Sequence, residues 1–179
     1  DFGGKNMLRW IHLSDIHFSG KEEYAIKRMR DTILEKIEQI SQKKDFNMIF
    51  ITGDLAYQGG SYDQSLIAFI KSLIKVLKLS SDDLFMIPGN HDVCRSQMRT
   101  LIIEGTRKDN FKFEKDTIMQ LQKDFREYKE FYKNLKGENA DYIYKIIKKG
   151  NYNVFLMNTA FTAGTNNDEG NLVLERDCF

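Results

Sequence analysis

The sequence predicts an α/β fold in which a largely parallel β-sheet is flanked by helices. Three short apolar runs, rich in branched and aromatic residues, have the composition of strands buried on both faces. Stretches with apolar residues at helical spacing separate them, so the order is strand, helix, strand, helix, strand. Right-handed crossovers make such strands parallel. A hydrophobic content of 41% and a charged content of 30% are typical of a globular chain rather than a disordered one.

The three predicted strands each end in polar residues. We expect the strands at residues 8–13, 48–52 and 84–87. The first is followed by SDIH, the second by GD and the third by PGNHD. Because ligands of α/β proteins bind outside the carboxyl ends of parallel strands, the three polar clusters should converge on one crevice.

Each helix between these strands is predicted to begin at a capping box, a hydroxyl residue followed three positions later by Glu or Gln. Ser19 and Glu22 have this spacing before the first helix. Ser61 and Gln64 repeat it before the second. The apolar positions that follow are Ile26, Met29, Ile33, Ile37 and Ile40 in the first helix and Leu66, Phe69, Ile70, Leu73, Ile74 and Leu77 in the second.

After the third strand, the alternation of predicted strands and helices no longer continues. Apolar residues in steps of three and four over positions 118–135 predict one amphipathic helix that is ended by Gly137. The stretch DYIYKIIKKGNYNVFLMNTA predicts a β-hairpin that turns near Gly150 and Asn151. Neither a repeat nor a low-complexity linker is visible, so we expect a single domain over residues 7–179. Residues 1–6 are either a cloning remnant or an internal boundary of a longer protein.

Composition also limits location and partners. The net charge of +1 provides no overall field that would favour nucleic acid or an acidic membrane. Cys94 and Cys178 are too few for a disulfide framework and favour a reducing compartment. No apolar run approaches the roughly 20 residues that span a bilayer, and the start lacks a signal-peptide core. We therefore expect a cytoplasmic protein without a membrane partner.

The polar residues at the strand ends form a candidate metal site. They are Asp15, His17, Asp54, Asn90, His91 and Asp92. Carboxylate, imidazole and amide groups form a fairly hard ligand set that suits Mn²⁺, Fe or Zn²⁺ better than a thiolate-binding metal. Asp15 and His17 are alternate residues, so both side chains can enter one crevice. A carboxylate such as Asp54 can bridge two cations about 3.5–4 Å apart. His12, in the middle of the first strand, is instead expected to be a hydrogen-bonded histidine in or near the core.

The motifs D-x-H, G-D and G-N-H-D, in this order, resemble the calcineurin-like metallophosphoesterase superfamily. The resemblance extends from Leu8 to about Asp92 and continues more loosely through VFLMNTAF. It implies that the sheet and its helices form the first half of an αββα sandwich. It also implies a centre of two divalent metal ions, of which Mn²⁺ is the first expectation and Fe or Zn²⁺ the alternatives.

The resemblance assigns a role to each motif residue. Asp15, His17 and Asp54 would hold the first metal ion. Asp54 would bridge to the second ion, which Asn90 would also hold. His91 would face the scissile phosphate and protonate the leaving oxygen, whereas Asp92 would orient the loop or its neighbours.

The implied activity is hydrolysis of a phosphate ester, in particular a phosphodiester, by a hydroxide held between the metals. The protein phosphatases of the superfamily have GDxxDRG and GNHE, whereas this chain has GDLAYQGG, with Tyr57 and Gln58 in place of the acid and the arginine, and GNHD. Protein phosphatase activity is therefore disfavoured. A nuclease of the same superfamily and a catalytically impaired interaction module remain as alternatives.

The chain departs from the family in its histidines. The family completes its site with downstream Gly-His and Gly-His-x-His motifs, but this sequence has three histidines in all and none after His91. We therefore expect the N-terminal portion of a larger phosphoesterase domain, or else a natural short form. Residues 1–179 alone would then hold at most one metal ion well, hydrolyse little, and expose a face that another sheet or chain would cover.

Overall fold

Strands and helices alternate along the first half of the chain, and a β-hairpin follows in the second half. The computed structural model describes residues 7–17, 24–56, 62–108 and 112–165, together with residues 168 and 172. Its strands are β1 (Trp10–Leu13), β2 (Met48–Thr52), β3 (Leu84–Ile87), β4 (Tyr144–Lys149) and β5 (Tyr152–Met157). Its α-helices are α1 (Tyr24–Ser41), α2 (Gln64–Val76), α3 (Gln97–Lys108), α4 (Lys115–Lys123) and α5 (Arg126–Lys136).

The first three strands form a parallel sheet in the order β1-β2-β3, which confirms the predicted α/β class. The bounds of β2 and β3 are those predicted. The strand β1 begins at Trp10, two residues later than predicted. Arg9, just before the strand, is bound to Asn47 on both sides of its backbone. Its N–H donates to the side chain of Asn47, and its carbonyl accepts from the backbone N–H of Asn47.

The main core lies between one face of this sheet and the helices α1, α2 and α5. Side chains of β2 alternate, so that Ile49 and Ile51 enter this core while Met48 and Phe50 point to the other face. The core also contains Leu84 and Met86 of β3, Leu66, Ile70 and Leu73 of α2, and Tyr128, Phe131 and Tyr132 of α5. Buried apolar packing on this face of the sheet therefore holds in place the strands whose carboxyl ends carry the predicted site.

The start of α2 differs from the predicted capping box. The residue that caps α2 is Asp63, whose carboxylate accepts hydrogen bonds from the backbone of Ser65 and Leu66. A carboxylate at the N-cap satisfies free N–H groups directly, so the helix does not need the predicted box at Ser61 and Gln64. Ser61 lies outside the described residues, as does the predicted box of α1.

The long helix predicted over 118–135 is two helices, α4 and α5. They separate at Asp124, whose carbonyl accepts a hydrogen bond from the backbone of Cys94 and whose carboxylate accepts one from Arg99. These long-range contacts replace the hydrogen bonds that would continue the helix. The predicted end is confirmed, because Gly137 caps α5 in a left-handed conformation with φ 76°.

The predicted hairpin is confirmed as β4 and β5, which pair antiparallel around Gly150 and Asn151. Val154 and Leu156 of β5 pack on Met48 and Phe85, on the face of the sheet opposite the main core. The hairpin leaves the same face of β1 open among the described residues, where Trp10 is 53% exposed.

His12 lies on this open face, so the prediction that it sits in or near the core is wrong. It is exposed because no described element covers β1 on this side. The prediction of a hydrogen bond is confirmed, since His12 Nε2 lies 2.5 Å from Thr52 Oγ1. Within the described residues, none of the helices combines the length and the hydropathy that crossing a membrane requires.

Candidate metal centre

Three of the predicted site residues meet at the carboxyl edge of the sheet. Asp15 and His17 follow β1, and Asp54 follows β2. One ligand atom of each lies within 4.8 Å of those of the other two. His17 Nε2 is 3.9 Å from Asp15 Oδ1. Two strand ends that are distant in sequence thus bring two carboxylates and an imidazole to one point.

The backbone at all three residues is left-handed, with φ of 55° at Asp15, 47° at His17 and 52° at Asp54. Few non-glycine residues adopt this conformation, although Asp and His tolerate it better than most. Two hydrogen bonds between the strand ends enforce it. The Asp15 N–H donates to the Gly53 carbonyl at 3.2 Å, and the His17 N–H donates to the Asp54 carbonyl at 2.9 Å.

Close packing of two glycines brings the second and third strand ends together. We call residues 53–56 the GD turn and residues 89–92 the GNHD turn. A Cβ atom on Gly53 would lie 2.8 Å from the Cα of Gly89, and one on Gly89 would lie 2.2 Å from the Asp54 carboxylate. Only glycine fits at either position without moving the backbone.

The GNHD turn places His91 beside the three-residue cluster. Its backbone N–H donates to Asp54 Oδ1 at 2.8 Å. Its ring lies edge-on to the ring of His17, with 4.9 Å between the centroids. Asn90, the preceding residue of the same turn, is half-buried. Four of the six predicted site residues therefore lie close to one another, and Asn90 directly precedes one of them, His91, in the chain.

Asp92 lies beneath the site, and it orients the loops as predicted. Its side chain is buried and accepts hydrogen bonds from the backbone of Leu55, Ala56 and Gly89. The fourth donor is the hydroxyl of Tyr62, at 2.8 Å from Asp92 Oδ1. Sequence reasoning did not single out Tyr62, because a tyrosine just before a predicted helix has no distinctive spacing relative to the motifs.

The donor set fits a divalent cation. Two carboxylates held within 4.8 Å of one another repel, and a cation between them would neutralise both. Their oxygens and the imidazole of His17 together suit Mn²⁺, Fe or Zn²⁺. Asp54 uses Oδ1 for the hydrogen bond from His91, which orients its carboxylate and leaves Oδ2 for another ligand contact.

Comparisons with known proteins agree with this geometry. A family model described as calcineurin-like phosphoesterase matches residues 8–175. An uncharacterized metallophosphoesterase-like protein of Bacillus subtilis is 29% identical over 177 residues, which are 93% of this chain and 36% of that protein. A probable cyclic nucleotide phosphodiesterase of Coxiella burnetii is 30% identical over 89 residues, which are 49% of this chain and 33% of that protein.

The chain therefore spans about a third of the length of the curated relatives that it matches. The family match covers nearly all of the sequence and includes every motif on which the predicted resemblance rests. The resemblance is thereby confirmed, and the chain belongs to the calcineurin-like phosphoesterase family.

Proposed function

We propose that the protein hydrolyses phosphodiesters with the help of two divalent metal ions. The observation that carries this proposal is the meeting of Asp15, His17 and Asp54 within 4.8 Å, beside His91. The sheet edge offers metal ligands and a proton donor to the same space. Phosphoryl transfer needs both, because charge must be neutralised on the phosphate and the leaving oxygen must be protonated.

Five residues would form the centre. Asp15, His17 and Asp54 would hold the first ion, and Asp54 and Asn90 the second, with Mn²⁺ as the proposed metal and Fe or Zn²⁺ as alternatives. Bound divalent ions supply Lewis-acid charge that polarises the phosphoryl group and makes water a better nucleophile. The hydrogen bond from the His91 N–H to Asp54 Oδ1 would hold the Asp54 carboxylate in place for this role.

His91 would act as the general acid. As water adds to phosphorus and the ester P–O bond breaks, the proton of His91 would pass to the oxygen of the departing alcohol, and the proton that the water releases would pass to solvent. The backbone hydrogen bond to Asp54 holds the main chain of His91, and its ring packs edge-on against the ring of His17. A fixed donor is effective because the proton is already close to the oxygen that needs it.

A phosphodiester is the proposed substrate class. The segment GDLAYQGG lacks the acid and arginine that the protein phosphatases have after GD, and the third motif is GNHD rather than GNHE. Similarity to a probable cyclic nucleotide phosphodiesterase over half of the chain supports the same class. We also propose that residues 7–179 are the N-terminal portion of a larger phosphoesterase domain, since the matched residues cover only 36% and 33% of the two relatives.

The proposal is tested with the full-length protein, Mn²⁺ and bis-p-nitrophenyl phosphate. We expect hydrolysis that excess chelator abolishes, and we expect Asp54→Ala to reduce it to background. Asp45→Ala is the matched control, because Asp45 is an exposed aspartate just before β2, at the opposite end of the strand from Asp54. Full activity in chelator, or an equal loss in both variants, would rule out the proposed mechanism.

The role of His91 has its own test. We expect His91→Ala to slow turnover by about 10²–10⁴-fold, which is the usual contribution of general acid catalysis. Its manganese content, measured by elemental analysis, should equal that of the wild type. His12→Ala is the control, because it removes the histidine on the open face of β1. Turnover that is unchanged in His91→Ala would exclude the proposed acid.

A further inference from the structure

We propose that Tyr62 is a positioning residue, which acts through Asp92 to hold the GNHD turn in register with the GD turn. The Asp92 carboxylate is the junction. Its Oδ1 accepts from Ala56 at 3.0 Å and from the Tyr62 hydroxyl at 2.8 Å. Its Oδ2 accepts from Leu55 at 3.3 Å and from Gly89 at 2.8 Å. One side chain therefore joins both turns to the residue that precedes the α2 cap.

The chemistry of these four contacts favours an ionised Asp92 and a protonated Tyr62. Three of the partners of Asp92 are backbone N–H groups, which can only donate, so the carboxylate is the form that satisfies all four. Burial and the adjacent Asp92 raise the pKa of Tyr62 well above its ordinary value, so the phenol keeps its proton and donates.

Tyr62 can fix Asp92 because its own ring is held on two sides. The ring stacks on Phe131 of α5 with 4.7 Å between centroids and 20° between planes. It also meets Tyr128 edge-on at 6.2 Å. The hydroxyl therefore projects from a rigid aromatic cluster toward the floor of the site, and its hydrogen bond costs little further side-chain ordering.

The relative position of the two turns matters because each turn carries a ligand of the same proposed metal ion. This part of the inference therefore rests on the proposed function. Asp54 belongs to the GD turn and Asn90 to the GNHD turn. Besides the hydrogen bonds of Asp92 and the packing of the two glycines, the hydrogen bond from His91 to Asp54 joins the two turns, one residue away from Asp92 in the chain. Without the Tyr62 donor, Asp92 Oδ1 keeps only Ala56, and the two turns gain freedom to separate. Partners that orient ligands in this way commonly change metal affinity by about 10–100-fold.

The test compares Tyr62→Phe with Tyr128→Phe in the full-length protein. The first variant removes the hydroxyl that binds Asp92 and keeps the ring that stacks on Phe131. The second removes a buried hydroxyl that has no hydrogen-bond partner among the described residues. Both delete one oxygen from the same aromatic cluster, so general effects of the deletion should be equal.

The first readout is amide hydrogen exchange of the metal-free protein. In Tyr62→Phe we expect the amides of Gly89 and Ala56 to exchange about tenfold faster, relative to Ile51 as a buried reference within β2. The second readout is Mn²⁺ binding by calorimetry. We expect the weaker of the two Mn²⁺ sites to lose about tenfold in affinity in Tyr62→Phe and to stay unchanged in Tyr128→Phe.

The outcomes separate this inference from the proposed function. Unchanged exchange and unchanged Mn²⁺ affinity in Tyr62→Phe would overturn the role of Tyr62, as would equal effects in both variants. A wild-type protein that binds no Mn²⁺ would overturn the proposed function. The exchange measurement, which needs no metal, would then decide the role of Tyr62 by itself.

Discussion

Asp15, His17 and Asp54 all adopt left-handed backbone conformations. Such a conformation costs an ordinary L-residue roughly 1–2 kcal/mol, and less for Asp or Asn. The hydrogen bonds between the ends of β1 and β2 maintain it. Part of the free energy of the fold is therefore used to hold these three residues in a strained conformation.

Substitutions of Asp15 can separate the effect of its backbone conformation on stability from the effect of its side chain on metal binding, because the side chain is 66% exposed. We expect Asp15→Asn to keep the metal-free stability, since Asn tolerates a positive φ, and to weaken Mn²⁺ binding, since a neutral amide replaces a carboxylate. We expect Asp15→Ala to weaken binding and also to lower the free energy of unfolding by about 1 kcal/mol. Urea unfolding in chelator and calorimetric titration give the two quantities. Equal stability of both variants would contradict the conformational argument.

For the individual residues of the site, the sequence was enough to predict which residues cluster but not which backbone conformation they adopt. Asp15, His17 and Asp54 were predictable because each follows an apolar strand, and parallel strands end at a common edge. The positive φ values depend on hydrogen bonds between residues almost forty positions apart. The contact between Tyr62 and Asp92 depends likewise on how α2 begins, which the motifs do not specify.

Among the elements, α2 shows how local geometry supports the sheet. It packs in the main core and ends in a left-handed turn at Lys78, with φ 56°. The N–H of Leu79 donates to the carbonyl of Ile74 at 3.0 Å, a hydrogen bond typical of a helix C-terminus that glycine usually closes. A lysine at this position is strained, and the strain is independent of the candidate site.

We expect Lys78→Gly to raise the free energy of unfolding by about 1 kcal/mol, because glycine adopts the left-handed conformation without a Cβ clash. Lys75→Gly is the matched control, since Lys75 is exposed within the last turn of α2, and glycine there should be destabilising by about 1 kcal/mol. Urea unfolding of both variants measures the difference. Destabilisation by both substitutions would show that Lys78 is not strained.

The elements that sequence reasoning placed wrongly are those shaped by distant contacts. The strands β2 and β3 were predicted within their observed bounds because burial on both faces gives continuous apolar runs. The helix α3 was not predicted, since its buried residues include Arg99, which conceals the apolar periodicity. The division between α4 and α5 was not predicted either, because it depends on the hydrogen bonds that Asp124 makes with Cys94 and Arg99.

In the molecule as a whole, a second apolar cluster lies beyond the GNHD turn. It contains Val93, Ile103, Leu121, Phe125, Ile143, Ala160, Phe161 and Ala163. Arg99 is fully buried beside it and donates hydrogen bonds to the carbonyls of Leu121, Phe161 and Ala163 and to the Asp124 carboxylate. The guanidinium of Arg99 thus connects α3, α4 and the segment after β5. These elements all follow the GNHD turn in the chain.

We expect Arg99→Met to lower the free energy of unfolding by about 3–5 kcal/mol, since it leaves the Asp124 carboxylate and three carbonyls without their donor. Arg126→Met is the control, because Arg126 is exposed and its ion pair with Glu127 is a surface contact. Denaturant unfolding of the two variants should therefore differ clearly. A similar small effect in both would mean that Arg99 is not what joins the second cluster.

The central claim is that Asp15, His17 and Asp54 hold a metal ion at the carboxyl edge of the sheet. Anomalous diffraction from crystals soaked in Mn²⁺ tests it most directly, because the signal locates the ion without reference to activity. We expect a manganese peak in coordination contact with all three side chains, and loss of that peak in Asp54→Ala crystals. Manganese peaks that all lie away from these side chains would show that the three residues do not form the metal site.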